Sequence, residues 1–202
     1  MMKKKIGIMG GTFNPIHIGH LIIGQTALEQ FQLDKVLFMP TKNPPHKRYD
    51  YILDDAIRAE MVSLAIKDNK SFELSTFEMN REGITYTADT LLQLTKQNPN
   101  EEYYFIIGAD SLFYIDRWKD PEMIFELSKV LAAVRWNTSR EEMLQKVAEL
   151  NETFHASIEL LDSPNIDISS SKIRERVKNR MDIQYYVMPE VARYIHKNNL
   201  YR

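Results

Sequence analysis

A short apolar strand that leads into glycines and then into two histidines constrains the fold of this chain most strongly. Residues 6–9 have the length and composition of a buried strand, and Gly10 and Gly11 follow it as a predicted turn. Glycine lets backbone N–H groups approach a phosphate closely, because no Cβ stands in the way. His17 and His20 are expected on one face of the first turn of a helix, whose N-terminus carries a partial positive charge. The segment therefore predicts a polyphosphate site, which is typical of an enzyme that handles nucleotides.

Short apolar runs alternate with segments of helical period along the rest of the chain. The predicted strands cover residues 5–9, 36–39, 72–78, 103–107, 130–134 and 158–161. The predicted helices cover residues 19–31, 54–67, 87–96, 121–127, 139–150, 170–177 and 189–197. Asp54 and Ser139 suit N-cap positions, and Pro121 and Pro189 suit first helical positions. Strands and helices in alternation predict an α/β fold, a Rossmann-like doubly wound parallel sheet with helices on both faces.

Length, charge and composition exclude several classes of protein. The 202 residues suit one domain, 1–202, with a small helical C-terminal part from about residue 163 to residue 202. A net charge of −2 argues against a nucleic-acid partner, and the absence of cysteine excludes disulfides and thiolate catalysis. The apolar run at residues 6–9 is too short for a signal peptide, and no segment approaches a membrane span. We therefore expect a cytoplasmic protein without a membrane partner.

A serine-rich segment near the C-terminus is a second candidate phosphate site. The run from Ile168 to Arg174 reads ISSSKIR and is predicted to begin a helix. Hydroxyl groups and backbone N–H groups at a helix start bind phosphate oxygens, and Arg174 one turn later can add a bidentate contact. A serine N-cap followed by a solvated helix is the alternative, because serine caps are common.

Several motifs in one order carry a resemblance to a known family. His17-Ile18-Gly19-His20 matches the HxGH signature of the nucleotidyltransferase superfamily, and the longer run from Gly10 to His20 resembles bacterial nicotinate-nucleotide adenylyltransferases. The serine-rich segment resembles that family's SSTxIR motif. Further motifs follow in the family's order: Pro44-Pro45-His46-Lys47, Thr85-Tyr86-Thr87 and Ile107-Gly108-Ala109-Asp110. The resemblance spans roughly residues 4 to 200.

The resemblance implies a reaction and a topology. The reaction is adenylyl transfer from ATP to nicotinate mononucleotide, giving deamido-NAD and pyrophosphate in NAD biosynthesis by direct in-line attack without a covalent intermediate. Mg²⁺ is expected to arrive with ATP, since no acidic or histidine cluster has the spacing of a metal cage. The implied central strand order is 3-2-1-4-5, so that the loops after strands 1 and 4 face one crevice.

The resemblance also assigns roles to residues. Those expected in catalysis are His17, His20, Ser171 and Arg174. Those expected to bind ATP are Gly10, Gly11, Thr12, Phe13, Gly108, Asp110, Arg135, Ile168 and Ser169. Those expected to bind the mononucleotide are Lys42, His46, Lys47, Thr85, Tyr86 and Trp118.

Some of these assignments have structural alternatives. Trp118 can instead be a core residue, Asp110 a turn residue, and the charged loop that holds Lys42 a solvated loop. Arg58, a weaker candidate for phosphate binding, is expected in an ion pair.

The chain also departs from the family pattern. Asn14 stands where the family most often has Asp, so a hydrogen-bonding role survives and a charged one does not. Arg135-Trp136-Asn137 replaces the common Arg-Pro-Gly. Transfer to nicotinamide mononucleotide or phosphopantetheine, and a non-catalytic nucleotide sensor, remain alternatives, and a homo-oligomer stays open.

Overall fold

A parallel sheet forms the centre of the molecule. The computed structural model of the chain describes residues 3–42, 52–134 and 139–202. The strands in these ranges are β1 (Lys4–Gly11), β2 (Lys35–Pro40), β3 (Phe72–Leu74), β4 (Glu101–Gly108), β5 (Ser128–Ala133) and β6 (Ile158–Leu161). They pair in the order β3-β2-β1-β4-β5-β6, and all pairs are parallel. The predicted central order 3-2-1-4-5 is confirmed, and β6 extends the sheet beyond β5.

Helices connect successive strands and follow the last one. They are α1 (Ile18–Gln30), α2 (Asp55–Ile66), α3 (Thr87–Gln97), α4 (Ala109–Leu112), α5 (Pro121–Leu127), α6 (Arg140–Phe154), α7 (Ser170–Lys178) and α8 (Pro189–Lys197). The first helical prolines are confirmed in α5 and α8. The Ser139 cap is also confirmed, because its Oγ accepts a hydrogen bond from Glu142 N at 3.1 Å.

Among the predicted boundaries that are wrong, two lie next to the carboxyl ends of the strands, while the helix predicted over residues 139–150 continues to Phe154. Gly10 and Gly11 are strand residues, since they pair with the last two residues of β2, and the turn begins at Thr12. The strand predicted over residues 72–78 ends at Leu74. Beyond it the chain turns, with Asn80 N donating to Thr76 O at 3.1 Å, because β3 is an edge strand that pairs with β2 alone.

Two apolar cores lie on opposite faces of the sheet. On one face α1, α2, α7 and α8 pack against the strands. On the other face α3, α4, α5 and α6 do so. Side chains of β1 pack into both cores. Ile6 and Ile8 lie on one face and Met9 lies on the other, as the two-residue period of a strand requires. The sheet is therefore covered on both faces, and its carboxyl edge is left for a ligand.

In the part of the chain that the structure describes, no helix has both the length and the apolar character needed to cross a membrane.

Arg58 joins α2 to the loop after β1. Its side chain is fully buried, donates from Nε to Leu53 O at 2.9 Å and from Nη1 to Thr12 O at 2.7 Å, and pairs with the Asp55 carboxylate. The expected ion pair is confirmed. The guanidinium also satisfies two backbone carbonyls, so it stabilises the loop as well as the helix.

Removal of this buried side chain is expected to destabilise the protein strongly. Arg58→Ala leaves two carbonyls and one carboxylate without their donor, and we expect the free energy of unfolding to fall by about 3 kcal/mol or more. Arg193→Ala is the matched control, because Arg193 pairs with Glu190 at the surface and its loss is expected to cost under about 1 kcal/mol. Urea unfolding measures both, and equal losses would contradict the structural role of Arg58.

Candidate active site

A cavity of about 660 Å³ opens at the carboxyl ends of β1 and β4. Strand order reverses between these two neighbours, which is where ligands bind in doubly wound sheets. The predicted site residues that line it are Gly10, Gly11, Thr12, His20, Thr85, Tyr86, Gly108, Asp110 and Trp118. The topology therefore brings the phosphate-binding segment, the segment after β4 and the predicted pyridine pocket into one cleft.

Phe13 forms the base of the loop that follows β1. Its backbone is in the left-handed region at φ 47°, and its ring is buried against the edge of the His20 ring, with centroids 5.0 Å apart. A Cβ on Gly11 would come within 3.1 Å of that ring, so the glycine makes room for Phe13. The Phe13 side chain is thus a core element, and its expected backbone contact with phosphate stays a prediction.

His17 and His20 form a stacked pair at the start of α1. His17 is buried at the N-cap, and its ring centroid lies 3.7 Å from that of His20. A Cβ on Gly19 would come within 3.1 Å of His17 Nδ1, which explains the glycine between them. His17 N donates to His20 Nδ1 at 3.2 Å, so a neutral His20 carries its proton on Nε2 and is a donor in the cavity wall.

The serine-rich segment packs against this loop. Ser169 caps α7, which is the alternative that the sequence left open for this segment, and accepts a hydrogen bond from Lys172 N at 3.3 Å. Ser170 Oγ donates to Pro15 O at 2.8 Å, and Arg174 Nη1 donates to Asn14 O at 2.8 Å. The two motifs that lie farthest apart in the sequence are therefore joined by direct hydrogen bonds.

Four predicted ligands of this segment are not among the residues that line the cavity: Ile168, Ser169, Ser171 and Arg174. Ser171 is exposed and accepts from Arg174 Nη2 at 3.2 Å. Ile168 is half-buried and packs against the apolar core. The guanidinium of Arg174 holds the loop, a role that the sequence does not indicate.

Asn14 is buried below the loop and accepts two hydrogen bonds. Tyr201 Oη donates to Asn14 Oδ1 at 2.8 Å, and Leu53 N approaches the same oxygen at 3.4 Å. A neutral carboxamide suffices for both contacts, in agreement with the hydrogen-bonding role expected for Asn14. No sequence signal links Tyr201 to a residue 187 positions earlier in the chain.

Trp118 lies at the opposite wall of the cavity. Its ring is half-buried and meets the Phe105 ring edge-on, with centroids 6.1 Å apart. It follows a 3-10 turn (Ile115–Arg117) in which Asp116 pairs with the buried ammonium group of Lys146 at 3.0 Å. Trp118 thus both lines the cavity and packs on the core, so its two predicted roles are compatible.

Glu78 is a cavity residue that the sequence analysis missed. Its side chain is buried and lines the cavity beside Thr85, and Thr90 Oγ1 donates to its Oε1 at 2.9 Å. Burial raises its pKa, and the Thr90 hydroxyl and the Arg81 charge oppose that rise. The incorrect assignment of residues 72–78 to a strand concealed this turn, in which Glu78 faces the ligand space.

The remaining candidate residues of the predicted site are Lys42, His46, Lys47 and Arg135. Lys42 Nζ donates to Arg81 O at 2.9 Å, which ties it to the turn beside Glu78. His46, Lys47 and Arg135, with the Trp136 and Asn137 departures, lie outside the described residues.

The described side chains do not form a metal cage. Within residues 3–42, 52–134 and 139–202, no group of three or more His, Cys, Asp or Glu is placed to hold a metal ion. Asp110 is an exposed carboxylate on the cavity wall. This donor set suits a metal that phosphates and water hold for the most part.

Glu78→Gln is expected to remove a pH dependence of stability. Because burial raises the pKa of Glu78, the folded protein keeps a proton that the unfolded chain releases above the ordinary value of 4.5. The Glu78 contribution to the free energy of unfolding therefore falls as pH rises through that window. Urea unfolding of wild type and variant between about pH 4 and pH 8 measures the difference.

Glu142→Gln is the matched control with the opposite sign. Hydrogen bonds from Ser139 lower the pKa of the exposed Glu142, so its contribution is present above the ordinary pKa and is lost as pH falls. A Glu78 variant whose stability follows that of wild type at every pH would contradict the raised pKa.

Comparison with known proteins gives relatives along the whole chain. A family model described as cytidylyltransferase-like matches residues 8–176. A curated protein of Lachnoclostridium phytofermentans, named "probable nicotinate-nucleotide adenylyltransferase", is 47% identical over 198 residues, which cover 98% of this chain and 99% of the relative. A protein of Clostridium novyi with the same name is 43% identical over 202 residues, which cover 100% of both chains.

Solved structures share the fold. Two structures of nicotinic acid mononucleotide adenylyltransferase from Plasmodium falciparum, one complexed with APC and one with NaAD, give TM-scores of 0.79 and 0.81. Their identities to this chain are 23% and 24%, and each comparison covers 98% of this chain and 97% of the other. At this identity the likeness concerns the fold alone.

Proposed function

Because the chain belongs to the cytidylyltransferase-like family and, within it, to the nicotinate-nucleotide adenylyltransferases, we propose that it transfers the adenylyl group of ATP to nicotinate mononucleotide. The products are deamido-NAD and pyrophosphate. The observation that carries this proposal is a single cavity lined by residues expected to bind each substrate. Gly10, Gly11 and His20 line it on the ATP side, and Thr85 and Trp118 line it on the mononucleotide side.

The reaction needs charge stabilisation more than proton transfer. A phosphate oxygen of the mononucleotide, already ionised at neutral pH, attacks the α-phosphorus of ATP in line, and the bond between that phosphorus and the bridging oxygen to the β-phosphate breaks. Pyrophosphate leaves with the electron pair. The barrier arises because one anion approaches another, so donors and cations that meet the developing charge lower it.

The loop after β1 and the start of α1 supply such donors. Backbone N–H groups from Gly10 to Phe13 bind the nucleotide phosphates, and the N-terminus of α1 adds its partial positive charge. His20 donates from Nε2, and His17 contacts the α-phosphate in the transition state. The support for this assignment is the stacked histidine pair beside the glycine-lined wall.

The remaining expected ligands divide between the two substrates. The adenosine part of ATP is bound by Gly108, Asp110 and Arg135. The ATP phosphates are bound by Ile168, Ser169, Ser171 and Arg174. Thr85 and Tyr86 take the pyridine carboxylate, Trp118 stacks on the ring, and Lys42, His46 and Lys47 hold the mononucleotide phosphate. Cavity lining supports the roles of Gly108, Asp110, Thr85, Tyr86 and Trp118.

Mg²⁺ bound to the ATP phosphates fits this donor set. Asp110 is the cavity carboxylate that would hold a metal-bound water. The ion would supply charge neutralisation on the phosphates of ATP.

Pyrophosphate release tests the proposal directly. The purified protein receives ATP and Mg²⁺ with nicotinate mononucleotide, nicotinamide mononucleotide or phosphopantetheine, in parallel. We expect release with the first acceptor at a kcat/KM at least about 10-fold above the others, because an amide cannot use two donors as a carboxylate does. Preference for another acceptor would show that this acceptor, and not nicotinate mononucleotide, is the substrate. ATP binding without turnover would favour a nucleotide sensor.

His17→Ala is expected to lower kcat by about 10²–10³-fold with a modest change in KM, as for the loss of one transition-state donor. His196→Ala, an exposed histidine in α8, is the matched control and should leave kcat unchanged. Steady-state kinetics measures both. A His17 variant with the kcat of wild type would contradict its role.

Trp118→Ala is expected to raise the KM for the mononucleotide by about 10-fold or more, because a stacking surface for the pyridine ring is lost. Tyr185→Ala controls for removal of an aromatic side chain, since Tyr185 is 79% exposed. A rise in the KM for ATP alone would assign Trp118 to the other substrate.

A further inference from the structure

We propose that Tyr201, the penultimate residue, is a positioning residue for adenylyl transfer, which acts through Asn14 on the loop that bears His17. This inference rests on the proposed function. Tyr201 is far from the cavity lining in sequence and makes its hydrogen bond to Asn14 Oδ1 at 2.8 Å. It thereby joins the end of the chain to the segment that begins the active site.

The loop has two kinds of anchor. Its backbone carbonyls are fixed by side chains from the helices: Arg58 donates to Thr12 O, Arg174 to Asn14 O and Ser170 to Pro15 O. These bonds fix the path of the chain. The Asn14 side chain lies below that path, and the Tyr201 hydroxyl donates to its oxygen.

The hydroxyl of Tyr201 has the character of a permanent donor. Burial raises the pKa of Tyr201 far above its usual value, against the lowering effect of the Arg174 and Arg58 charges. The phenol therefore stays protonated, and remains a hydrogen-bond donor, at every pH near neutrality. Its ring also packs against the apolar core beside α8, which fixes the position of the hydroxyl.

Movement of Asn14 would be transmitted to the catalytic histidines over a short distance. His17 lies three positions after Asn14, and every residue from Thr12 to His17 is buried, so the segment has little room to adjust independently. The His17 ring in turn stacks on His20. Loss of one donor at Asn14 should therefore loosen the alignment of both histidines while leaving the substrate pockets intact.

Tyr201→Phe tests the proposal, with Tyr103→Phe as the matched control. The Tyr103 hydroxyl is also buried, 2.7 Å from Glu101 Oε2, near the amino end of β4 and so at the end of the strands away from the cavity. We expect kcat to fall by on the order of 10-fold in Tyr201→Phe, with both KM values within about 2-fold of wild type. Tyr103→Phe should lower the melting temperature comparably and leave kcat unchanged.

A double-mutant cycle separates positioning from general stability. If Tyr201 acts through Asn14, Asn14→Ala should lower kcat, and adding Tyr201→Phe should lower it no further. Additive losses, a kcat of Tyr201→Phe equal to wild type, or a loss in Tyr103→Phe as large as in Tyr201→Phe would each overturn the proposal. Failure of the proposed function is distinguishable, because it would be seen as absent turnover in the wild-type protein.

Amide hydrogen exchange adds a readout that needs no turnover. In ligand-free protein, Tyr201→Phe should speed exchange of peptides covering residues 12–20 and leave β4 as protected as in wild type. Tyr103→Phe should have no such effect on residues 12–20. Unchanged exchange there in Tyr201→Phe would overturn the proposal.

Discussion

The backbone carbonyls of the loop after β1 need donors, and the rest of the active site depends on how they receive them. The loop is buried, so each unpaired carbonyl would cost free energy. Arg58 from α2 and Arg174 and Ser170 from α7 satisfy three of them. Those bonds bring the serine-rich motif against the HxGH motif, fix the entry into α1 and hold His17 against His20. The two signatures are thus neighbours for a structural reason, whatever further contacts they make with substrate.

The electrostatics of the cavity fit two anionic substrates held at close range. Arg117, Lys119 and His20 line it together with the carboxyl groups of Glu78 and Asp110. Burial raises the pKa of Glu78 and so weakens its negative charge at the place where a second carboxylate is expected to bind. The N-terminus of α1 faces the same space and adds positive potential without a mobile side chain. The cavity therefore supplies the two things that the proposed reaction needs, which are positioning of the substrates and fixed positive charge.

The parts of the fold that could be predicted from the sequence depend on local pattern. Strand and helix periodicity gave most elements, and prolines and Ser139 marked helix starts correctly. Gly10 and Gly11 were misassigned because glycine permits a turn but does not require one, and pairing with β2 decides the matter. Glu78 and Tyr201 could not be found, because burial and partners 12 and 187 residues away depend on packing that no local window contains. The family motifs gave the residues of the cavity, and the structure gave the anchors beneath them.

A crystal structure of the protein with deamido-NAD tests the central claim most directly. We expect the pyridine ring against Trp118, its carboxylate at Thr85 and Tyr86, and the phosphates at Gly10, Gly11 and the two histidines. We also expect the hydrogen bonds from Arg58, Arg174 and Ser170 to the loop to persist in the complex. A dinucleotide bound in the reverse direction, or a loop released from these three donors on binding, would contradict it.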